Sequence, residues 1–306
     1  MMRFRWLWLS AVLCLAWGLW GCQSSAPQPS PRYYGSTLSL DQLVGAINQN
    51  NQKIPSLWTR ITYLEAWFVD RQNNSQKYVN GAGNLLYSAP ASIRVTVMKE
   101  LVADLLDMGS DGNRFWLWEK HENVFWWGDY ANLDKAGARQ IPIRPDLVLE
   151  VLGIRPIDPV LSNQPVPVVR FNNDADSYMI VWQKQLADRW VSQKEIWYDR
   201  ATLRPNTVLL FDPAGRVVVR AWLTNFQPVR IAGQPRDQWP VMATHYGLFF
   251  PETGSKMKFE LGDLALTGGK GNAFPKPISF QMPDPDKLRD SGIKVNQIDE
   301  ASGPLD

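Results

Sequence analysis

From Trp58 to Leu266 the sequence keeps returning to a period of two, and that rhythm limits the fold more than any other feature. A strand sends successive side chains to opposite faces, so the alternation marks strands. They are expected near 58–70, 77–87, 92–100, 101–108, 114–120, 124–129, 166–171, 177–185, 191–198, 206–212, 217–227, 241–250, 256–266 and 278–282. Polar turns such as "DRQNNS" and "GSDGN" separate them. "FDPAGR" reads as a hairpin turn with Gly215 at a positive φ. So many strands with so few interruptions point to one large antiparallel sheet. No fixed sequence period recurs, which argues against a propeller or a solenoid.

Two helices break the pattern. Ser39 with Gln42 forms a capping box, and Leu40, Leu43, Val44 and Ile47 fall on one face. In "RPDLVLEVLG" Pro145 suits a first helical turn, Leu147, Val148, Val151 and Leu152 make a stripe, and Gly153 stops it. The tail from Asp284 is polar and is expected to pack poorly.

Apolar residues occupy both faces of the central strands. In "NRFWLWEK", Trp116 and Trp118 oppose Phe115 and Leu117; in "NVFWWGD", Val124 and Trp126 oppose Phe125 and Trp127. A sheet with one wet face would alternate apolar with polar, so something must cover each side here. Two short helical stripes can roof one side of so wide a sheet and leave room for a hollow. A solid core of tryptophan fits the pattern equally well.

The amino-terminal end carries a different signal. Arg3 and Arg5 precede an apolar run, Trp6 to Trp20, of the length and flanks of a secretory signal. It is short for a membrane span, which takes about 20 residues. Leu19-Trp20-Gly21-Cys22 then resembles the lipobox of bacterial lipoproteins. That resemblance implies cleavage before Cys22, a diacylglycerol thioether on its sulfur and an acylated amino terminus. Trp20 departs from the small or branched residue usual there. Each buried methylene contributes about 0.8 kcal/mol, and two or more chains anchor stably. "QSSAPQPSPRYYGS" supplies a Pro- and Ser-rich tether. Gln23 stands where, by analogy, an aspartate favours the inner membrane, so the expected location is the outer membrane, facing the periplasm. Cys14 leaves with the signal, so Cys22 has neither a disulfide partner nor a second thiolate for a metal.

Charge narrows the partners. The 32 basic and 30 acidic residues come into balance once Arg3 and Arg5 are removed, which argues against nucleic acid. His121 and His245 lie in no catalytic motif, there is no GxSxG or HExxH, and "TGGKGN" lacks Walker spacing. Glu119 and Glu122 flank an aromatic hairpin but read as charged hairpin ends. No catalytic residue, metal or cofactor is expected.

"NGAGNLLYSAPASIRV" followed by "MGSDGNRFWLWE" resembles the bacterial lipoprotein-carrier family of LolA and LolB. The likeness rests on Gly83, Pro90, Arg94, Ser110, Asp111, Gly112, Phe115 and Trp116, and on a closing "SFQMP". It implies a mainly β fold with a few helices: a large antiparallel sheet of roughly eleven strands curved into an open, incomplete β-barrel lidded by helices. Residues 1–21 would be the signal peptide, 22–37 the lipidated cysteine and tether, 38–285 one domain and 286–306 a polar tail. Leu43, Ile47, Trp67, Trp116, Trp118, Trp126, Leu147 and Val151 are the expected cavity or lid residues. Gly83, Pro90, Asp111 and Gly112 are the expected structural turns. Ala89 stands where the LolA carrier has an arginine, and the Cys22 anchor suits a resident binder or acceptor better than a shuttle. The implied partner is a lipid or an acylated lipoprotein. The alternative is an envelope scaffold that binds a protein partner and has filled its core.

Overall fold

In the computed structural model, residues 35–69, 75–99, 103–132, 143–266 and 275–298 are described; Cys22 and the leader lie outside them. Two antiparallel meanders make up the sheet. The first holds β1 (Ser56–Val69), β2 (Ser75–Ser88), β3 (Ser92–Lys99), β4 (Ala103–Ser110), β5 (Arg114–Glu119) and β6 (Val124–Asp129). The second holds β7 (Val166–Asn172), β8 (Ser177–Leu186), β9 (Arg189–Asp199), β10 (Pro205–Phe211), β11 (Val217–Pro228), β12 (Val241–Phe250) and β13 (Ser255–Ala265). They join edge to edge where β1 pairs with β13, Leu64 opposite Phe259 and Ala66 opposite Met257. A short β14 (Lys294–Gln297) adds to β6 in parallel, giving 14 strands in the order β14-β6-β5-β4-β3-β2-β1-β13-β12-β11-β10-β9-β8-β7. The end strands β14 and β7 do not pair, so the sheet is open.

Helix α1 (Leu40–Asn51) precedes the strands, and α2 (Pro145–Val151) lies in the crossover between the meanders. The Ser39 hydroxyl accepts from the Gln42 amide at 3.4 Å while the Ser39 amide donates to Gln42 Oε1 at 3.0 Å, closing the capping box. Gly153 follows α2 at φ +68°, and a Cβ there would stand 3.0 Å from Pro205 on β10.

Curvature follows from what α2 touches. It contacts β3, β4 and β5 on one side and β10 on the other. In the strand order β4 and β10 are seven places apart, about 33 Å in a flat sheet, whereas a helix is only about 10–12 Å wide. The sheet therefore wraps around the helix, as an open barrel does.

Two expectations fail at the carboxyl-terminal end. Residues 278–282 form no strand; Pro277–Phe280 is a 3-10 turn. Within residues 285–298 the chain after Asp284 is held rather than loose: α3 (Pro285–Asp290) leads into β14, the Ile298 amide donates to the Trp127 carbonyl at 3.0 Å, and Ile298 is buried; the rest of the tail lies outside the described residues.

Candidate functional site: a hollow and its helical plug

The inner wall of the sheet is apolar along both meanders. Ile93, Val95 and Val97 on β3 are buried facing Met108 on β4, Phe115 and Leu117 line β5, and Ile180, Ile196 and Val208 continue the surface on the far side. Into this hollow project Leu43, Val44 and Ile47 from α1 and Val148, Val151 and Leu152 from α2, all buried. Leu147 and Trp126 are partly buried against the same cluster. Removing each such aliphatic side chain from water contributes about 1.5–3 kcal/mol, an upper range because unfolded chains bury some of it too.

The two helical segments are hydrogen-bonded to each other as one body. Asn48 Nδ2 donates to the Ile157 carbonyl and the Ile157 amide donates back to Asn48 Oδ1, both at 2.8 Å and both buried. Asn51 Nδ2 reaches the carbonyls of Gly153 and Arg155 at 3.3 and 3.0 Å. Other polar ties run from this plug outward: the Leu38 amide, just before α1, donates to the Tyr178 hydroxyl on β8 at 2.9 Å, and Lys53 Nζ, just after α1, donates to the Gln238 carbonyl at 3.1 Å. Asn50 exchanges two bonds with Val241 at the start of β12, at 3.0 and 2.8 Å. Glu150 on α2 receives Lys194 from β9 at 2.7 Å, and also binds Arg155 within the plug. Burial alone would raise the Glu150 pKa; Lys194 and then Arg155 outweigh it, and the carboxyl is held below its ordinary range.

Tyr87 on β2 is buried facing this interior, and among the described residues its hydroxyl makes no hydrogen bond. Burial pushes its pKa up, with Arg155 pulling down and Glu150 pushing up more weakly.

The expected cavity residues divide between the two faces. Leu43, Ile47, Trp126, Leu147 and Val151 belong to the hollow or its plug. Trp67, Trp116 and Trp118 do not, which corrects the expectation. Trp116 and Trp118 alternate with Phe115 and Leu117 and so point outward, where Trp116 sits opposite Gly109 and Trp127. Trp67 is 42% exposed and pairs with Lys256 on the outer face. With apolar residues on both faces, alternation separates the sides but does not label them.

Among the expected turn residues, Gly83 sits inside β2, opposite Ile61 and Val97, rather than at a turn. A Cβ at that position would come 1.9 Å from the Thr96 carbonyl oxygen, so close backbone approach requires glycine there. Pro90 lies in the β2–β3 turn. Asp111 Oδ1 accepts from the amides of Asn113 and Arg114 at 2.9 and 2.7 Å, and Gly112 takes φ +96°.

Sequence reading missed the plug's polar residues. Three residues of "NQNN" at the end of α1, Asn48, Asn50 and Asn51, bond to other elements. Glu150 had a visible cue, a lone carboxylate inside the apolar stripe "LVLEVL". Among the described residues no three His, Cys, Asp or Glu side chains group to hold a metal, and no helix is long and apolar enough to cross a membrane. His245 Nδ1 lies 3.0 Å from Asn225 Nδ2, and its Nε2 is 3.6 Å from Glu260. His121 is exposed beside Glu122.

No family profile and no curated protein matches the chain. Solved structures do. A LolA superfamily protein from Nitrosomonas europaea is 12% identical, covering 78% of this chain and 97% of its own, with a TM-score of 0.45. A DUF1329 family protein from Desulfovibrio piger is 11% identical, covering 83% of this chain and 97% of its own, with a TM-score of 0.49.

Proposed function

We propose that the protein is a membrane-tethered, non-catalytic lipid handler whose hollow receives the acyl chain of a lipid or lipoprotein when the α1–α2 plug lifts. The observation that carries this reading is how the plug is held. Its two buried hydrogen bonds, between Asn48 and Ile157, are internal, its ties to the wall are part-buried or exposed, and its remaining contact with the wall is hydrocarbon against hydrocarbon. An alkyl chain can replace one apolar surface by another at little cost in polar contacts. Shielding such a chain from water contributes about 25 cal/mol per Å². The resemblance around Gly83 and Asp111 adds the same expectation, and Cys22 would hold the protein on the periplasmic side of the outer membrane.

A filled-core envelope scaffold is the second reading, favoured by the complete burial of Leu43 and Val151. One experiment separates the two. The lipidated protein is purified in detergent, exchanged into a detergent without alkyl chains and titrated with a fluorescent fatty acid. Saturable binding that is lost in Trp126→Asp or Leu147→Asp, with the fold retained by circular dichroism, supports the lipid handler. Absence of binding by the wild type assigns the scaffold. Mass spectrometry of the amino-terminal peptide tests the Cys22 anchor separately.

A further inference from the structure

The outer face of the sheet where the meanders join sets exposed aromatic rings beside cations. Register places Trp67 on β1, Lys256 on β13, Phe249 on β12 and Arg220 on β11 in one row across four strands. The next row runs Glu65, Lys258, Gly247 and Trp222. Trp67 and Trp222 are 42% and 40% exposed, unusual for so large an apolar ring. Trp222 crosses Gly247, which has no side chain to lift it, and the Arg220 guanidinium stands 4.9 Å from its ring centroid. Lys256 and Lys258 flank an open cleft of about 390 Å³ whose other walls are Glu65, Trp67, Gly254 and Met257. Three cations therefore stand among three aromatic rings, against one carboxylate, Glu65. In the following row His245 Nε2 lies 3.6 Å from Glu260.

Rings of this amphipathic kind settle at the boundary between headgroups and hydrocarbon, and lysine and arginine beside them favour an anionic surface. We infer that this outer face docks on an anionic bilayer, with a lipid phosphate seated between Lys256 and Lys258. A neutral membrane offers the rings a place but the cations none. A protein partner of ordinary chemistry fits less well, since interface cores tend to exclude lysine. The docking face lies opposite the hollow, so the inference stands whether or not the hollow takes a lipid.

The test uses the full lipidated chain in vesicles, where the anchor holds the body near the surface in every case. Amine labelling read peptide by peptide reports Lys256 and Lys258, with the exposed Lys287 as an internal reference. Docking is expected to slow labelling of both lysines about fivefold or more in phosphatidylcholine vesicles containing phosphatidylglycerol, relative to phosphatidylcholine alone, with high salt reversing the effect. Lys287 should not change. Trp222→Ser, on β11 two strands from the lysines of β13, should remove the protection while the protein stays folded. Equal labelling in the two vesicle types overturns the proposal. So does protection that rises with protein concentration in detergent and ignores lipid charge, which would give the face to a second copy of the chain.

Discussion

Lys194 Nζ on β9 lies 2.7 Å from Glu150 Oε2 on α2, and Arg155 meets the other oxygen of the same carboxylate. Lys194 also stands 4.4 Å over the Trp182 ring, so one ammonium ties the helical plug to the wall and packs against it. The Glu150 side chain keeps 20% of its surface exposed, which places the network between a surface pair and a buried one.

Replacing Glu150 by Gln should therefore cost less than the loss of a fully buried charge partner. We expect about 1–3 kcal/mol at neutral pH, read from urea denaturation midpoints. The pH dependence has a definite sign. The folded pKa lies below the ordinary 4.5, so the contribution is complete above that value and is lost as pH falls through the lowered folded value. Wild type should lose stability in this acid window while Glu150→Gln loses less. Parallel acid limbs for the two proteins would show that the carboxylate does not hold the plug.

Gly83 and Gly45 should respond to alanine in opposite directions. At Gly83 the added methyl meets the Thr96 carbonyl oxygen at 1.9 Å, and both atoms belong to paired strands that cannot part without breaking the ladder. Gly83→Ala should cost more than about 3 kcal/mol or prevent folding. Gly45 lies in α1 with nothing within 4 Å of its would-be Cβ. Gly45→Ala should raise stability by about 0.5–1 kcal/mol, because glycine gives up more backbone freedom in a helix. Thermal midpoints of the two variants check both signs.

The strands and both helical stripes were legible because their signals repeat. β1 through β13 each carry enough alternation to exceed local noise, and the capping box at Ser39 marks the start of α1 by its own chemistry. Segments too short to show a period were misread. "KVNQ" in β14 has one apolar residue in four, and its strand exists because β6 offers an open edge with Trp127 on it. "ISFQM" alternates like a strand but is held as a turn against β3, where Arg94 donates to the Ser279 carbonyl at 3.1 Å. Placement of Trp116 was hidden for another reason. Its seat depends on Gly109, across the ladder, leaving room for the ring; a Cβ there would lie 2.4 Å from Trp116 Cζ2.

Asn48 tests whether α1 and the segment after α2 move as one. Asn48→Ala removes both bonds to Ile157 and leaves a buried amide and a buried carbonyl without partners, at a cost of about 2–4 kcal/mol. Hydrogen exchange should show amides of α1 and of residues 153–157 losing protection together, while β8 and β9 keep theirs. Loss confined to α1 would mean that the two segments are held independently, and the lifting plug would have to be abandoned.

Ile298 gives the sharpest contrast between what its sequence context suggests and what it does. A residue in a loose polar tail can lose three carbons at no cost. Here Ile298 is 2% exposed in the main apolar cluster, and its amide donates to Trp127 at 3.0 Å. Truncating it to alanine removes buried hydrocarbon and leaves part of the space empty, a cost of about 2–4 kcal/mol. The loss should come with faster exchange at the β6 edge, because β14 caps β6 only while Ile298 holds the turn beyond it. Val160→Ala serves as the reference, since that side chain is 52% exposed and its truncation should shift stability by less than about 0.5 kcal/mol. Equal effects of the two substitutions would return the carboxyl-terminal segment to the solvent.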